Sequence, residues 1–274
     1  MSNIYVVGNF KGGVGKSTVV QMLGFESALR GRKTLIVDLD MQGNTSKVMA
    51  LTSDNFSSKE LVYQNNITDI LVNQDNPEKS IYNVMDNLDI IPADLDFEIY
   101  EEFSNRQFDT FLDRLNYAKE KLDPIFEQYD SVYLDVPPSI NIYSKTAMYL
   151  ARYVIVVLQT QTKSLDNAQT YIDYLGGTFY DLTKKDLSII GVIPFMLESN
   201  SLVDTTMYEV AKEQYGEHLL QNIVLKNERL KRYDATGITM ERTLKGNLKM
   251  WDKKAHELFN NILDELDEHQ TWFE

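Results

Sequence analysis

The chain contains no cysteine. Disulfides, thiolate metal sites and cysteine-held clusters are therefore excluded, which fits a reducing compartment. It also lacks any apolar run of about 18 residues, the length that crosses a bilayer as a helix. Neither a secretory leader nor a basic transit segment precedes the first strand pattern, so a cytoplasmic protein is expected. Internal repeats, low-complexity tracts and linkers are missing too. The 274 residues, 43% of them hydrophobic, are expected to form one domain spanning 1–274. Positive charge is the scarcer sign, with 27 Lys and Arg against 41 Asp and Glu and a net charge of −14. Its distribution is uneven: residues 226–254 hold nine basic and four acidic side chains. A basic face on an acidic body and an ordinary solvated surface both fit that pattern.

Residues 8–18 read Gly8-Asn9-Phe10-Lys11-Gly12-Gly13-Val14-Gly15-Lys16-Ser17-Thr18. Residues 4–7 before them are apolar and mostly β-branched, the pattern of a buried strand, and residues 17–30 carry helical apolar spacing. Glycines between a strand and a helix let successive backbone N–H groups turn toward phosphate oxygens, and the helix N-terminus adds partial positive charge. In such a loop Lys16 reaches the β- and γ-phosphates, and the Ser17 hydroxyl ligates Mg²⁺. A glycine-rich turn that binds nothing is the alternative, and the Gly-Lys-Ser ending argues against it.

Two acidic motifs fit the same site. Residues 34–39 form a strand pattern that delivers Asp38 and Asp40 at its carboxyl end, where open parallel sheets bind ligands. Residues two apart share a strand face, so both carboxylates can look toward the phosphate loop, to order metal-bound water or to position the attacking one. Residues 131–134 form a second such strand, ending in Asp135, the metal-side aspartate of a Walker B motif. Pro137 and Pro138 then stiffen a loop able to answer the γ-phosphate as a switch.

Further strand patterns at 88–92, 153–158 and 187–193 alternate with helix-length segments. The expected fold class is α/β: a doubly wound, mostly parallel sheet with helices on both faces, as in P-loop NTPases. Residues 54–128 are expected to be polar and mostly helical. A C-terminal helix is expected over about 251–268, with Trp251, Ala255, Leu258, Phe259, Ile262, Leu263 and Leu266 facing the core. Its opposite face carries Glu257, Asp264, Glu265, Asp267 and Glu268, which an anionic bilayer would repel, so no membrane partner is expected.

With residues 11–18, Val37-Asp38-Leu39-Asp40-Met41-Gln42-Gly43-Asn44 and Leu134-Asp135-Val136-Pro137-Pro138-Ser139 in hand, the chain resembles the ParA/Soj family of partition ATPases, the deviant Walker branch that includes MinD. The likeness extends to residues 87–93, to 154–159 with Ser164-Leu165, and to Asn227-Glu228-Arg229-Leu230 followed by Gly237. It implies ATP and Mg²⁺ as cofactors, with Ser17, Asp38 and Asp135 on the metal side and Asp40 positioning the attacking water. Lys11 is similar to the signature lysine that crosses a dimer interface to the other subunit's phosphates. Met196 and Leu225 are expected at the nucleotide, Leu225 beside the adenine, where family members usually carry proline. The resemblance further implies an ATP-dependent homodimer that binds non-specific DNA, with Arg229, Lys231, Arg232, Lys245 and Lys249 as DNA-facing residues. A centromere-binding partner of ParB type would stimulate hydrolysis, and the ATP-bound form would associate with the nucleoid. The phosphate loop begins so early that no N-terminal helix-turn-helix is expected. A MinD-like ATPase that positions a partner on a membrane or other cellular surface, and a small-molecule kinase or ligase on the same fold, are the competing functions.

Overall fold

Alternation along the first strand sets the layering. In β1 (Asn3–Gly8), Ile4 and Val6 pack into one apolar cluster, while Tyr5 and Val7 pack into a second. Successive side chains point to opposite faces, so a strand apolar at every position is buried on both sides. The structure, a computed structural model, describes residues 2–57, 60–159, 162–198 and 201–273, apart from the side chains of 162–164, 196 and 197.

The strands that follow are β2 (Thr34–Asp38), β3 (Tyr82–Met85), β4 (Leu88–Ile91), β5 (Ser131–Asp135), β6 (Tyr153–Gln159), β7 (Ser188–Leu197) and β8 (Val224–Leu225). The α-helices are α1 (Lys16–Leu29), α2 (Asn44–Phe56), α3 (Ile67–Leu71), α4 (Ile99–Gln107), α5 (Phe111–Phe126), α6 (Ile142–Leu150), α7 (Thr162–Tyr174), α8 (Tyr180–Thr183), α9 (Leu202–Tyr215), α10 (Glu228–Thr236) and α11 (Met250–Gln270). The sheet order is β3-β4-β2-β5-β1-β6-β7-β8, with β3 antiparallel to β4 and the other described pairs parallel. Helices α1, α2, α10 and α11 supply the cluster on one face, and α3 to α7 with α9 supply the other. This is the expected doubly wound arrangement.

Two strands had no counterpart in the sequence patterns. β3 is a four-residue edge strand with a half-exposed, partly polar sequence, and β8 has only two residues. The tight β3–β4 connection runs through Asp86 and Asn87, with Asn87 in the left-handed region at φ 64°, which asparagine tolerates.

Helix α11 buries Ala255, Phe259, Ile262, Leu263 and Leu266, but Trp251, expected to face the core, lies exposed on its first turn. Part of its acidic face is engaged internally. Asp264 and Asp267 pair with Arg30, Asp267 also pairs with Arg32, and Glu265 accepts the backbone N–H groups of Gln221 and Asn222. No helix among the described residues is long and apolar enough to cross a membrane.

Candidate functional site

The site lies at the carboxyl ends of β2, β5 and β1, three adjacent strands. Parallel register sets Asp38 directly beside Asp135, so sheet pairing itself brings the two carboxylates together. The loop after β1 then curls over them. Gly15, the N-cap of α1, has φ 99°, and a Cβ there would lie 2.2 Å from the Phe195 ring, so backbone geometry and packing both demand glycine. Val14 is buried in the core, which leaves its backbone rather than its side chain available to a ligand.

Two amides brace this loop against β6. Asn9 Nδ2 donates to the Val157 carbonyl at 2.8 Å, while its Oδ1 accepts the Lys11 N–H at 2.9 Å. Gln159 Nε2 donates to the Gly13 carbonyl at 3.0 Å, and its Oε1 accepts from Lys11 Nζ at 3.2 Å. The loop and α1 open onto a cavity of about 620 Å³. Gly12, Gly13, Gly15, Lys16, Ser17, Thr18 and Asp40 line it, together with Gln21, Asn44, Lys47, Val48, Val136, Pro138, Phe195 and Asp234. Lys16 is buried, and its Nζ donates to the Lys11 carbonyl at 3.3 Å. Burial lowers its pKa, while the charges of Asp135 and Asp40 act in the opposite sense.

The three aspartates have different surroundings. Asp38 is fully buried; its Oδ2 accepts from the Ser46 N–H and hydroxyl at 2.9 and 2.8 Å, and its Oδ1 accepts the Asp40 N–H at 3.1 Å. Burial and then the facing Asp135 charge raise its pKa. Asp38, expected on the metal side, has both oxygens hydrogen-bonded within the β2–α2 turn. Asp135 is equally buried; its Oδ2 accepts from Thr45 Oγ1 at 2.6 Å, whereas Oδ1 has no hydrogen-bond partner among the described residues. Burial raises its pKa, and the hydroxyls of Thr45 and Ser17 oppose that rise. A buried carboxylate oxygen without a partner, next to a serine hydroxyl that faces the cavity, is the donor set a hydrated Mg²⁺ takes. Asp40 is partly exposed and lines the cavity. Its loop closes on Gly43, at φ 61°, where a Cβ would meet the Ala93 carbonyl at 2.8 Å.

The other expected residues lie elsewhere. Met196 is on β7, but its side chain falls outside the described ones. Leu225 is half-exposed on β8 and is not part of the cavity lining. Lys231 and Arg232 are exposed on α10, Lys245 is exposed on the turn that follows it, and Lys249 is exposed at the N-cap of α11. Arg229 differs from the expectation of a DNA-facing cation. It is 8% exposed, with Nε 2.5 Å from Asp252 and its outer nitrogen bonded to Thr239 and Glu241. Its partner Asp252 is fully buried, so the pair is internal to the α10–α11 unit.

Sequence reasoning assigned no role to Gln21, Thr45 or Gln159. Gln21 left a signal: it is a polar residue within the apolar run Val19-Val20-Gln21-Met22-Leu23 and is buried with it. Thr45 and Gln159 left none, since a polar residue at a helix start or a strand end is ordinary.

A family model described as an AAA domain (AAA_31) matches residues 2–189. The sporulation initiation inhibitor protein Soj of Bacillus subtilis is 26% identical over 231 residues, covering 84% of this chain and 87% of that protein. The chromosome partitioning protein ParA of Myxococcus xanthus is 28% identical over 241 residues, covering 84% and 77%. Among solved structures, a putative plasmid partition protein of Borrelia burgdorferi bound to AMPPNP superposes with a TM-score of 0.75 at 21% identity. That superposition covers 97% of this chain and 100% of the other. Apo McdA of Cyanothece gives 0.78 at 18% identity over 98% and 100%. With its phosphate loop, its paired strand-end aspartates and this family match, the chain belongs to the AAA_31 family of AAA domains and, within it, to the ParA/Soj group of partition ATPases.

Proposed function

We propose that this chain is a DNA-segregation ATPase that acts as a switch: an ATP-bound dimer holds DNA non-specifically, and hydrolysis releases it. The observation that carries this reading is Lys11 beside a complete phosphate loop, with Asp40 in the same cavity. A loop that only bound nucleotide would need Lys16 and the glycines, but not a second lysine at its entrance.

The backbone N–H groups of residues 12–17 and the α1 N-terminus hold the phosphates, and Lys16 neutralises the β- and γ-oxygens. Ser17 and Asp135 are the residues that would hold Mg²⁺, which would supply charge neutralisation to the phosphates. Asp40, on the open side of the cavity, orients the water that attacks the γ-phosphate. Lys11 reaches the phosphates bound by the second copy, so a complete site exists only in the dimer. Lys231, Arg232, Lys245 and Lys249 then face DNA phosphates from both protomers, and a ParB-type partner stimulates turnover.

The Asp40→Ala protein tests this reading, because it separates assembly from hydrolysis. It should bind random-sequence duplex DNA with ATP–Mg²⁺ but not with ADP, and binding should weaken steeply as salt rises. Absence of DNA binding in both nucleotide states would overturn the proposal.

A further inference from the structure

Two neighbouring residues on the first turn of α2 each grip one member of the register-paired carboxylates. Ser46 holds Asp38, and Thr45 holds Asp135. The second grip has a further link behind it. Gln21, in the middle of α1, donates from Nε2 to Thr45 Oγ1 at 2.9 Å, and Gln21, Thr45 and Asp135 are all buried.

A hydroxyl carries one proton. Because Oγ1 accepts the Gln21 N–H, its own proton is committed to Asp135 Oδ2, 2.6 Å away. That bond fixes the carboxylate's rotation and leaves Oδ1, buried beside the phosphate loop, without a hydrogen-bond partner among the described residues. We propose that Thr45, oriented by Gln21, is a positioning residue that aims Asp135 Oδ1 at the Mg²⁺ hydration shell and ties the metal side of the site to the Asp40 loop. The inference rests on the nucleotide-hydrolysis reading above and deepens it. Thr45 is not among the residues that line the cavity, so it acts through Asp135.

The tie between the two halves of the site also runs along the backbone. Thr45 lies two residues beyond Gly43, whose N–H donates to the Asp40 carbonyl at 2.9 Å. A shift of the Asp40 loop therefore moves Thr45, and with it the orientation of Asp135. Partners that orient a metal's carboxylate commonly govern metal affinity by 10- to 100-fold, which sets the expected effect here.

The test is ADP binding by calorimetry across a Mg²⁺ series and in EDTA, with thermal melts of each variant. Thr45→Val keeps the side chain's shape and removes the hydroxyl. It should leave metal-free ADP affinity within about twofold and raise the half-saturating Mg²⁺ concentration about 10- to 100-fold. Thr45→Ser should restore the wild-type value, and Gln21→Leu should shift it in the same direction by a smaller factor. A Thr45→Val protein with wild-type Mg²⁺ dependence, or one that loses affinity equally with and without Mg²⁺, overturns the proposal. If Thr45→Val does not fold, unchanged Mg²⁺ dependence in Gln21→Leu overturns it instead. Wild-type protein that binds ADP without responding to Mg²⁺ overturns the positioning role alone. Wild-type protein that binds no ADP removes the nucleotide reading as well.

Discussion

Lys11 and Lys16 show how two identical side chains, five residues apart, come to stand in different surroundings. Lys16 is buried among the aspartates, and its lowered pKa reflects the desolvation of a cation that phosphate oxygens would compensate. Lys11 sits at the loop's rim, hydrogen-bonded to Gln159, and is only partly buried. A partner's phosphates can therefore take it from Gln159 without exposing a buried group. Lys11→Ala should abolish ATP-dependent dimerisation, measured by light scattering on a sizing column, while ADP affinity of the monomer changes less than about threefold, the size of losing one exposed contact. An ATP dimer of normal stability would remove Lys11 from the interface.

At the scale of elements, the region from α10 to α11 is held by buried charge. Asp252 accepts from Arg229, from the Tyr233 hydroxyl at 2.8 Å, from Thr239 and from the Glu241 N–H at 2.7 Å. Burial alone would raise its pKa, but these bonds outweigh it and hold the carboxyl below the usual range. Arg229→Ala would leave Asp252 buried and short of its cation, a change that costs about 3 kcal/mol or more. The expected result is a large drop in urea midpoint, with the salt slope of DNA binding unchanged in whatever protein remains folded. A stable Arg229→Ala protein with a shallower slope would return Arg229 to the DNA face.

His256 joins this unit to α1. Its Nδ1 lies 2.5 Å from the Glu26 carboxylate and its Nε2 2.9 Å from the Thr239 carbonyl, with the Phe25 and Tyr233 rings alongside and Asp252 nearby. Both ring nitrogens face acceptors, so the imidazolium is the form that satisfies both. Burial lowers the His256 pKa, but the Glu26 bond and charge prevail and raise it above the ordinary 6.5. A value raised on folding contributes stability that is complete below about 6.5 and lost as pH rises through the folded-state value. Stability should therefore fall on the alkaline side in the wild type. His256→Gln should flatten that fall above about pH 6.5, as read from urea midpoints.

For the whole molecule, the proposed DNA binding has to be reconciled with a net charge of −14. The positive residues of 226–254 are partly neutralised in place. Lys226 pairs with Glu198, Lys231 with Glu228, Lys249 with Glu241 and Lys253 with Glu257, all near the surface. Such exposed pairs contribute little and exchange readily for phosphate oxygens. Lys245 lies on an exposed turn that closes by the Thr243–Asn247 and Gly246–Thr243 backbone bonds. Lys245→Ala should weaken DNA binding uniformly across sequences and reduce the log–log salt slope by about 1 per protomer. An unchanged slope would take Lys245 off the DNA.

The layering of the fold and the phosphate loop were legible without coordinates, because both depend on local order along the chain. Apolar β-branched runs separated by helix lengths specify parallel strands, and Gly-Lys-Ser at a strand–helix junction specifies a loop whose backbone does the binding. What remained hidden depends on which distant segments meet. Asp38 and Asp135 look alike in sequence, each closing an apolar strand. Their neighbours separate them, since Ser46 and the Asp40 N–H engage both oxygens of Asp38, whereas Thr45 holds one oxygen of Asp135 and leaves the other open. Arg229 looks like its basic neighbours until Asp252, 23 residues away, is folded against it. Charge in a sequence is a property of one residue, whereas desolvation and pairing belong to the surroundings, and those are set by packing.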